Sequence, residues 1–202
     1  MKNYIRILRE GGVLAIPTDT VYGLAADATN PQAVAKVFTI KGRGEEKALP
    51  IFAMDLAMAR TIAEISPSQE TFLQRVWPGK VTAVLRLRND APLAKNAVAS
   101  DGTVALRVPN HPLVRDLLQR FQKPITGTSA NKSGLASCRN TASLRSQLAG
   151  NLPDYIIDGG ELPESLPSTI VDLTKRTPTI IRNGAADKKV LEQIANLLQS
   201  GN

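Results

Sequence analysis

The sequence has one cysteine and one histidine among 202 residues. Because Cys138 stands alone, the chain can form neither an intrachain disulfide nor a cysteine-rich metal centre, which agrees with a reducing compartment. His111 is the sole histidine, which excludes a multi-histidine metal centre. It is also the only histidine that a Ser/His/Asp triad could use. It precedes Pro112 at a predicted helix start, which favours a structural or capping role over that of a general base.

Long apolar runs are also missing. No run approaches the roughly 18 residues of a membrane span, and the segment Met1 to Arg6 lacks the apolar core and cleavage site of a signal peptide. We therefore expect a cytoplasmic protein. Hydrophobic residues make up 43% of the chain and charged residues 21%, a composition that supports a sizeable globular core.

Aromatic residues are few, whereas basic residues are concentrated in one part of the chain. The formal charge is +7, and the segment from Arg75 to Arg145 holds twelve Lys or Arg residues against three Asp. Such a segment suits polyanionic partners such as nucleotides or RNA. A solvated basic surface explains it equally well as far as RNA is concerned, because four Phe, three Tyr and one Trp offer few platforms for base stacking.

The common phosphate-binding loops are absent from the sequence. There is no Gly-x4-Gly-Lys-Ser/Thr run, and Gly42-Arg43-Gly44 lacks a third glycine at the spacing of a dinucleotide fingerprint. Any bound phosphate must therefore be held mainly by side chains and loop amides rather than by a glycine-rich helix start.

Short runs rich in Val, Ile and Leu alternate with helical patterns, without a linker between domains. Strands are predicted at Val13 to Pro17, Leu49 to Ala53, Val81 to Arg88, Thr103 to Val108, Pro124 to Thr128, Tyr155 to Asp158, Thr169 to Leu173 and Thr179 to Arg182. Helices are predicted at Gln32 to Ile40, Leu56 to Ile65, Gln69 to Val76, Pro112 to Phe121, Leu144 to Leu148 and Lys188 to Gln199. The last two strands predict a hairpin, so we expect one α/β unit with a twisted, mixed, mainly antiparallel sheet and flanking helices.

Two short motifs predict a site for an anionic, phosphate-bearing ligand. Lys41-Gly42-Arg43 supplies two cations, and Thr128 to Gly134 gathers hydroxyl and amide groups after a predicted strand. Each motif has a plainer explanation. The cations can complement a helix C-terminus, worth about 0.3–1 kcal/mol, and Ser, Asn and Gly are ordinary turn residues. The first motif favours a binding site if residues 41–43 are extended, because both cations then project to one side.

Polar residues also mark the ends of other predicted strands, where α/β folds commonly bind ligands. The segments are Pro17 to Leu24, Ser168 to Asp172 and Ile180 to Gly184. Each segment alone could be a turn that satisfies its own hydrogen bonds. Their joint presence indicates a shared polar site.

Taken in order, these motifs resemble the YrdC-like family, the threonylcarbamoyl-AMP synthases of tRNA modification, in its short bacterial form. The matching stretches lie between residues 12 and 184 and are Pro17 to Leu24, Lys41 to Arg43, Trp77 to Thr82, Thr103 to Pro109, His111 to Leu113, Thr128 to Gly134, Ser168 to Asp172 and Ile181 to Gly184. The resemblance implies a YrdC-like fold with a concave basic face. It also implies a nucleotidyltransferase that makes threonylcarbamoyl-AMP and pyrophosphate from L-threonine, bicarbonate and ATP. A separate enzyme complex would then modify adenosine 37 of tRNAs that decode ANN codons.

The resemblance also assigns residues to the reaction. The catalytic residues it implies are Lys41, Arg43, Ser129 and Asn131, and ATP would be bound by these four together with Thr103, Gly127 and Arg182. L-threonine would be held by Thr20, Arg107 and Ser168. Arg107 would pair with the threonine carboxylate through two hydrogen bonds, while the other cations would neutralise phosphates and the charge that develops in the transition state. Mg²⁺ is expected with the triphosphate, and no residue is named as its ligand.

Two positions depart from the family pattern. Phe52 stands where many members have a histidine that helps to bind threonine, and Gly44 replaces a common proline. A shorter bacterial subgroup also lacks the histidine, so we expect activity to be retained. The segment Gly44 to Lys47 is a candidate loop for closing the site. We further expect one domain over residues 1–202, without the additional C-terminal domain of longer forms.

Two other functions stay open at the level of sequence. The basic central segment suits a module that binds tRNA, double-stranded RNA or the ribosome without catalysis. A carbamoyl-transfer domain of the kind used in hydrogenase maturation is disfavoured, because zinc-finger cysteines and an acylphosphatase-like region are missing.

Overall fold

The computed structural model describes residues 2–44, 48–175, 177–187 and 189–192. In this part of the chain, six of the nine strand pairings are antiparallel and three are parallel. The mixed, mainly antiparallel arrangement predicted from the sequence is therefore confirmed. The strands divide between two sheets, however, where one sheet was expected.

Within the described residues the strands are β1 (Leu14–Ile16), β2 (Gly23–Ala25), β3 (Ile51–Phe52), β4 (Ala63–Glu64), β5 (Val81–Leu87), β6 (Thr103–Arg107), β7 (Ile125–Thr126), β8 (Thr128–Ser129), β9 (Tyr155–Ile156), β10 (Thr169–Asp172) and β11 (Thr179–Arg182). The helices are α1 (Lys2–Arg9), α2 (Pro31–Lys41), α3 (Leu56–Ile62), α4 (Pro67–Val76), α5 (Pro112–Phe121) and α6 (Thr141–Gln147), with a 3-10 turn at Lys95–Ala97. The smaller sheet has the order β8-β2-β1-β9. The larger has the order β11-β10-β5-β6-β3-β7, with β4 paired to β5.

The register of the larger sheet brings several strand ends to one edge. Phe52 at the end of β3 pairs with Arg107 at the end of β6, in parallel. Strand β5 runs antiparallel to β6 and parallel to β10, so Thr82 and Thr169 near the starts of β5 and β10 lie toward the same edge. The predicted hairpin of β10 and β11 is confirmed. Residues from four strands are thus available to build one site at this edge.

Most helices begin where the sequence predicts. The Asn30 and Asp55 side chains cap α2 and α3 by accepting hydrogen bonds from backbone N–H groups of the first turn, and Ser66 forms a capping box with Gln69 at α4. Caps of this kind contribute about 1 kcal/mol each. His111 occupies the N-cap position of α5, but its side chain makes no capping hydrogen bond.

The helices pack on the sheets through two apolar clusters of buried residues. The larger includes Leu24, Leu85 and Leu106 and lies between the sheets and helices α2 to α4. The smaller joins α1 to α5 through residues such as Ile5 and Leu117. Burial of each such side chain stabilises the fold by about 1.5–3 kcal/mol, so these clusters hold α2, β3 and β6, which position Lys41, Phe52 and Arg107.

Several predicted boundaries are wrong: α6 begins at Thr141 rather than Leu144, and β9 ends at Ile156 rather than Asp158. Helix α3 was expected to reach Ile65 but ends at Ile62, because residues 63–64 leave the helix and pair with β5 as strand β4. The predicted strand from Pro124 to Thr128 is two strands, β7 in the larger sheet and β8 in the smaller. Gly127 separates them, and a Cβ atom there would lie 2.3 Å from the Phe52 ring. The chain crosses from the larger sheet to the smaller one at Gly127, where the Phe52 ring approaches the backbone closely.

Helix α1 and strand β2 were not predicted. No capping residue precedes α1, and its buried face becomes apparent only when Ile5 and Leu8 are seen packing with α5. Strand β2 is a three-residue Gly-Leu-Ala segment, and glycine and alanine have low strand propensity. Of the helix predicted at Lys188 to Gln199, residues 189–192 are helical and the remainder lies outside the described residues, as do residues 45–47 of the candidate closing loop.

The contact between Gly127 and Phe52 gives a stability prediction. Gly127→Ala should lower the free energy of unfolding by about 1–3 kcal/mol, because the new methyl group overpacks against the buried ring. In a Phe52→Ala background the same change should be neutral or slightly stabilising, since the clash is gone and the unfolded chain loses entropy. Urea unfolding of the four proteins measures this coupling. An equal loss in both backgrounds would contradict it.

Candidate active site

A cavity of about 430 Å³ opens at the edge where the strand ends of the larger sheet meet the β1–β2 turn and the loop after β8. It is lined by nine of the ten residues singled out from the sequence: Thr20, Lys41, Arg43, Arg107, Gly127, Ser129, Asn131, Ser168 and Arg182. Among the described residues, no Asp or Glu lines it. Four cations without a lining carboxylate suit the cavity to anions.

Lys41 is the last residue of α2 and is 3% exposed. Its Nζ donates hydrogen bonds to the backbone oxygens of Ser129 (2.5 Å) and Asn131 (3.0 Å). The helix-terminus explanation therefore does not describe Lys41, because its ammonium group is bound by a different segment of the chain. Burial, and next the nearby charge of Arg43, lower the pKa of Lys41 to about 8.

The functional interpretation of the Lys41-Gly42-Arg43 spacing assumes an extended segment, and the structure shows that this assumption is wrong. Gly42 ends the helix in the left-handed conformation, with φ of 56°. The chain turns there, and both cationic side chains line the cavity despite the turn. Arg43 also donates a hydrogen bond of 3.2 Å to the Ala48 backbone oxygen, which ties it to the chain beyond residues 45–47.

Asn131 organises the loop after β8 from within. Its Nδ2 donates to the backbone oxygens of Lys132 (2.9 Å) and Leu135 (2.8 Å). Its Oδ1 is buried and has no hydrogen-bond partner among the described residues. A buried acceptor without a partner destabilises by about 1–3 kcal/mol, so this oxygen is suited to a donor on a ligand or a water molecule. The loop is further fixed to α2 by a bond from Ser133 N to Lys41 O of 2.9 Å.

Arg107 is held from several sides at the end of β6. Its Nε donates to Gly79 O at 2.8 Å, its Nη1 to Thr20 Oγ1 at 3.2 Å and its Nη2 to Asp19 Oδ1 at 2.6 Å. The guanidinium carbon lies 5.7 Å from the centre of the Phe52 ring. Burial lowers the pKa of Arg107 and Asp19 opposes that shift. Three acceptors use three of its five N–H groups, so two are left for a ligand.

Asp19 is the site residue that the sequence argument passed over. It is 10% exposed and forms the ion pair with Arg107, while its Oδ2 accepts a hydrogen bond from the Asn110 backbone at 3.2 Å. Its position within the Pro17 to Leu24 motif was the available signal. The motif does not reveal its partner, Arg107, which lies 88 residues away.

The hydrogen bonds around Thr20 leave it an acceptor for the cavity. The Thr18 hydroxyl donates to Val21 O at 2.7 Å, and its oxygen accepts from the backbone N–H groups of Thr20 (3.1 Å) and Val21 (3.3 Å). Thr18 therefore has neither a proton nor a lone pair left to hold the Thr20 hydroxyl, which lies 3.1 Å away. Since Thr20 accepts from Arg107, it has a lone pair left for the cavity and is suited to an amine or another donor.

Ser168 and Arg182 form one part of the cavity wall. Arg182 donates to the Ser168 backbone oxygen from Nε (3.1 Å) and Nη2 (2.9 Å), and Nη2 also lies 3.3 Å from Ser168 Oγ. Burial lowers the pKa of Arg182. Gly184 lets these segments approach, because a Cβ atom there would lie 2.2 Å from Pro167 O.

Thr103 is the one predicted residue that the fold does not bring to the cavity. It is the first residue of β6, and Arg107 is the last, which separates them by roughly 13 Å of strand. Its hydroxyl donates to Asp101 Oδ1 at 2.7 Å, a local turn bond. Contact of Thr103 with a nucleotide is not supported by this arrangement.

Known proteins share both the sequence pattern and this fold. A family model for Sua5, YciO and YrdC proteins, described as "Telomere recombination", matches residues 6–184. The chain belongs to the Sua5/YciO/YrdC family. This confirms the resemblance on which the site residues were predicted.

Individual relatives of this family extend the comparison. The threonylcarbamoyl-AMP synthase of Bacillus subtilis is 34% identical over 93% of this chain and 54% of its own length. The protein of the same name from Photobacterium profundum is 35% identical over 91% of this chain and 98% of its own. A crystal structure of P. abyssi Sua5 complexed with L-threonine has a TM-score of 0.86 and 32% identity, over 96% of this chain and 56% of that chain. The chain thus spans about half the length of the B. subtilis and P. abyssi relatives.

The described part of this family member has neither a membrane-spanning helix nor a cluster of metal ligands. None of its described helices combines the length and apolar character needed to cross a membrane. Clusters of three or more His, Cys, Asp or Glu able to hold a metal ion are likewise absent from the described residues.

The lowered pKa of Lys41 predicts proton uptake when an anion binds. At pH 8.5 the free amine is mostly neutral, and an adjacent phosphate favours the charged form, so binding raises the pKa. Binding of ATP, used here as the phosphate-bearing probe, should then take up a larger fraction of a proton at pH 8.5 than at pH 7. Calorimetric titration in two buffers of different ionisation enthalpy measures the uptake.

The matched variants for this measurement are Lys41→Arg and Lys95→Met. Arginine stays charged across this range, so Lys41→Arg should bind ATP without the uptake. Lys95 lies on the 3-10 turn away from the cavity, and its loss should leave the uptake intact. Equal uptake by the native chain and Lys41→Arg would show that Lys41 is not the group that titrates.

Proposed function

We propose that this chain is an L-threonylcarbamoyladenylate synthase, which makes threonylcarbamoyl-AMP and pyrophosphate from L-threonine, bicarbonate and ATP. The observation that carries the proposal is that residues predicted for the nucleotide and residues predicted for the amino acid line the same cavity. No carboxylate is among the described residues of that lining. The names of the B. subtilis and P. profundum relatives and the L-threonine bound to P. abyssi Sua5 support it.

The cavity offers different chemistry at its two ends. At one end, Thr20 presents an acceptor suited to the threonine amine, and Arg107 retains N–H groups for a carboxylate. At the other, Lys41 and Arg43 flank the loop that carries Ser129 and Asn131 and supply positive charge for phosphates. We assign Thr20, Arg107 and Ser168 to L-threonine, and Lys41, Arg43, Ser129, Asn131 and Gly127 to ATP. Arg182 is also assigned to ATP, and because it is hydrogen-bonded to Ser168 it stands where the two substrates would meet.

The proposed reaction has two steps. The threonine amine first combines with bicarbonate to give a carbamate and water. A carbamate oxygen then attacks the α-phosphorus of ATP, the bond to the β-phosphate breaks, and pyrophosphate leaves. Negative charge grows on the departing oxygens, and Lys41 and Arg43 stabilise it. Positioning and electrostatics carry such a reaction, so a His/Asp base pair is not required.

Mg²⁺ belongs to this proposal as a companion of the triphosphate. The cavity's described lining has hydroxyl, amide and backbone oxygens, of which the Asn131 Oδ1 is buried and unbonded, but no carboxylate. This donor set fits an ion held mainly by phosphate oxygens and water, the usual mode for Mg²⁺ with nucleotides. When bound, the ion would offset phosphate charge.

The wider setting is proposed on the same grounds. The product would pass to a separate threonylcarbamoyl-transferase complex that modifies adenosine 37 of ANN-decoding tRNAs. Direct contact with tRNA or double-stranded RNA is proposed from the basic segment between Arg75 and Arg145. A cytoplasmic location and one YrdC-like domain over residues 1–202, with a concave basic face, complete the proposal.

Pyrophosphate release tests the assignment directly. Release should require ATP, L-threonine and bicarbonate together. Lys41→Ala and Arg43→Ala should each reduce it at least about 100-fold, because several kcal/mol of transition-state stabilisation are lost. Arg107→Ala should mainly raise the threonine concentration needed for half-maximal rate. Steady-state assays with each substrate omitted or varied provide these values.

Arg120→Ala is the matched control for charge. Arg120 lies on α5, is exposed and pairs with Asp116, so its loss should leave turnover unchanged. Near-normal turnover by both the Lys41 and Arg43 variants would remove these residues from the mechanism. Tight, salt-sensitive RNA binding without any threonine-dependent pyrophosphate release would favour the RNA-binding module instead.

A further inference from the structure

A threonine behind the cavity wall contacts the site through Ser168. Thr82 lies on β5, is 1% exposed and does not line the cavity. The parallel pairing of β5 with β10 sets Thr82 opposite Ile170. In this register the Thr82 Oγ1 lies 2.7 Å from the Ser168 Oγ, and either hydroxyl can be the donor.

The contacts of Arg182 restrict the role of the Ser168 hydroxyl. The Nη2 of Arg182 lies 3.3 Å from Ser168 Oγ, and a guanidinium group can only donate. One lone pair of Ser168 Oγ is therefore occupied. Arg182 Nη1 has no hydrogen-bond partner among the described residues, so its N–H groups are available at the cavity wall that Arg182 and Ser168 share.

The buried position of Thr82 decides the direction of the remaining bond. If Ser168 donated to Thr82, the proton of Thr82 would be left without a partner in the described structure, inside the protein. If Thr82 donates to Ser168, every buried proton is satisfied and both lone pairs of Ser168 are filled. The proton of Ser168 is then free, and Ser168 lines the cavity.

We infer that Thr82 is a positioning residue that makes Ser168 an obligate hydrogen-bond donor to an anionic oxygen in the cavity. The Ser168 hydroxyl and the Nη1 of Arg182 then form a two-donor contact suited to a carboxylate or carbamate. This inference rests on the proposed function where it identifies the anion as the carboxylate or carbamate of threonine. The hydrogen-bond arrangement itself depends only on Thr82, Ser168 and Arg182.

Removing the Thr82 hydroxyl without changing its shape tests the inference. Thr82→Val should weaken L-threonine binding about tenfold, because Ser168 can then turn its proton toward the backbone or adopt another rotamer. Thr82→Ser, which keeps the hydroxyl, should restore affinity to within about twofold. Calorimetric titration of the full chain with L-threonine, and separately with inorganic pyrophosphate, gives the affinities.

A double variant distinguishes action through Ser168 from loss of packing. If Thr82 acts through Ser168, then Thr82→Val combined with Ser168→Ala should bind no more weakly than Ser168→Ala alone. Thr126→Val is the matched control. Thr126 is also buried, and within the described residues its hydroxyl bonds only to the backbone of Leu24 and Ala26. It lies outside the cavity lining. Its loss should lower stability and leave L-threonine affinity unchanged.

The outcomes separate this inference from the proposed function. Native affinity for both probes in Thr82→Val, or additive losses in the double variant, would overturn the inference even if pyrophosphate release is normal. A coupled loss of affinity for either probe would uphold it even if the native chain shows no threonine-dependent turnover. A native chain that binds neither probe would overturn both.

Discussion

The site depends on one buried charge that is held by backbone oxygens. The ammonium group of Lys41 lies at the end of α2 and binds the carbonyl groups of Ser129 and Asn131, which joins two parts of the chain that are far apart in sequence. No carboxylate takes part in these bonds, so the positive charge is not neutralised and remains available to an anion. The consequence is a depressed pKa, which burial imposes on any amine in such a position.

Arg107 follows the opposite principle. Its charge is paired with Asp19 in a setting where both groups are nearly buried, so the pair contributes geometry more than net charge. The cavity therefore has a hydrogen-bonding end, set by Asp19, Arg107 and Thr20, and a positively charged end around Lys41. This division suits a substrate that is oriented at one end and a triphosphate that is neutralised at the other.

Sequence motifs predicted the members of the site better than their geometry. The family resemblance assigned ten residues, and nine of them line one cavity. Several of the nine lie at strand ends that share one edge of a sheet, whereas Lys41 and Arg43 reach the cavity from the end of α2. Thr103 was carried over with its motif, yet it begins the strand that Arg107 ends. The break at Gly127 could not be predicted, since it depends on the Phe52 ring, which reaches that point only after β3 and β7 pair. Asp19 was missed for the same reason, because its role depends on its ion pair with Arg107, which is distant in sequence.

The central claim is that this cavity joins a carbamate of threonine to the α-phosphorus of ATP. Incubation of the chain with ATP, Mg²⁺, L-threonine and ¹³C-bicarbonate, followed by ¹³C NMR, tests it most directly. The account predicts a new carbamoyl carbon resonance split by coupling to phosphorus, since that carbon and the phosphorus would share an oxygen. Label that stays in bicarbonate and free carbamate, with a folded chain and intact ATP, would contradict the account.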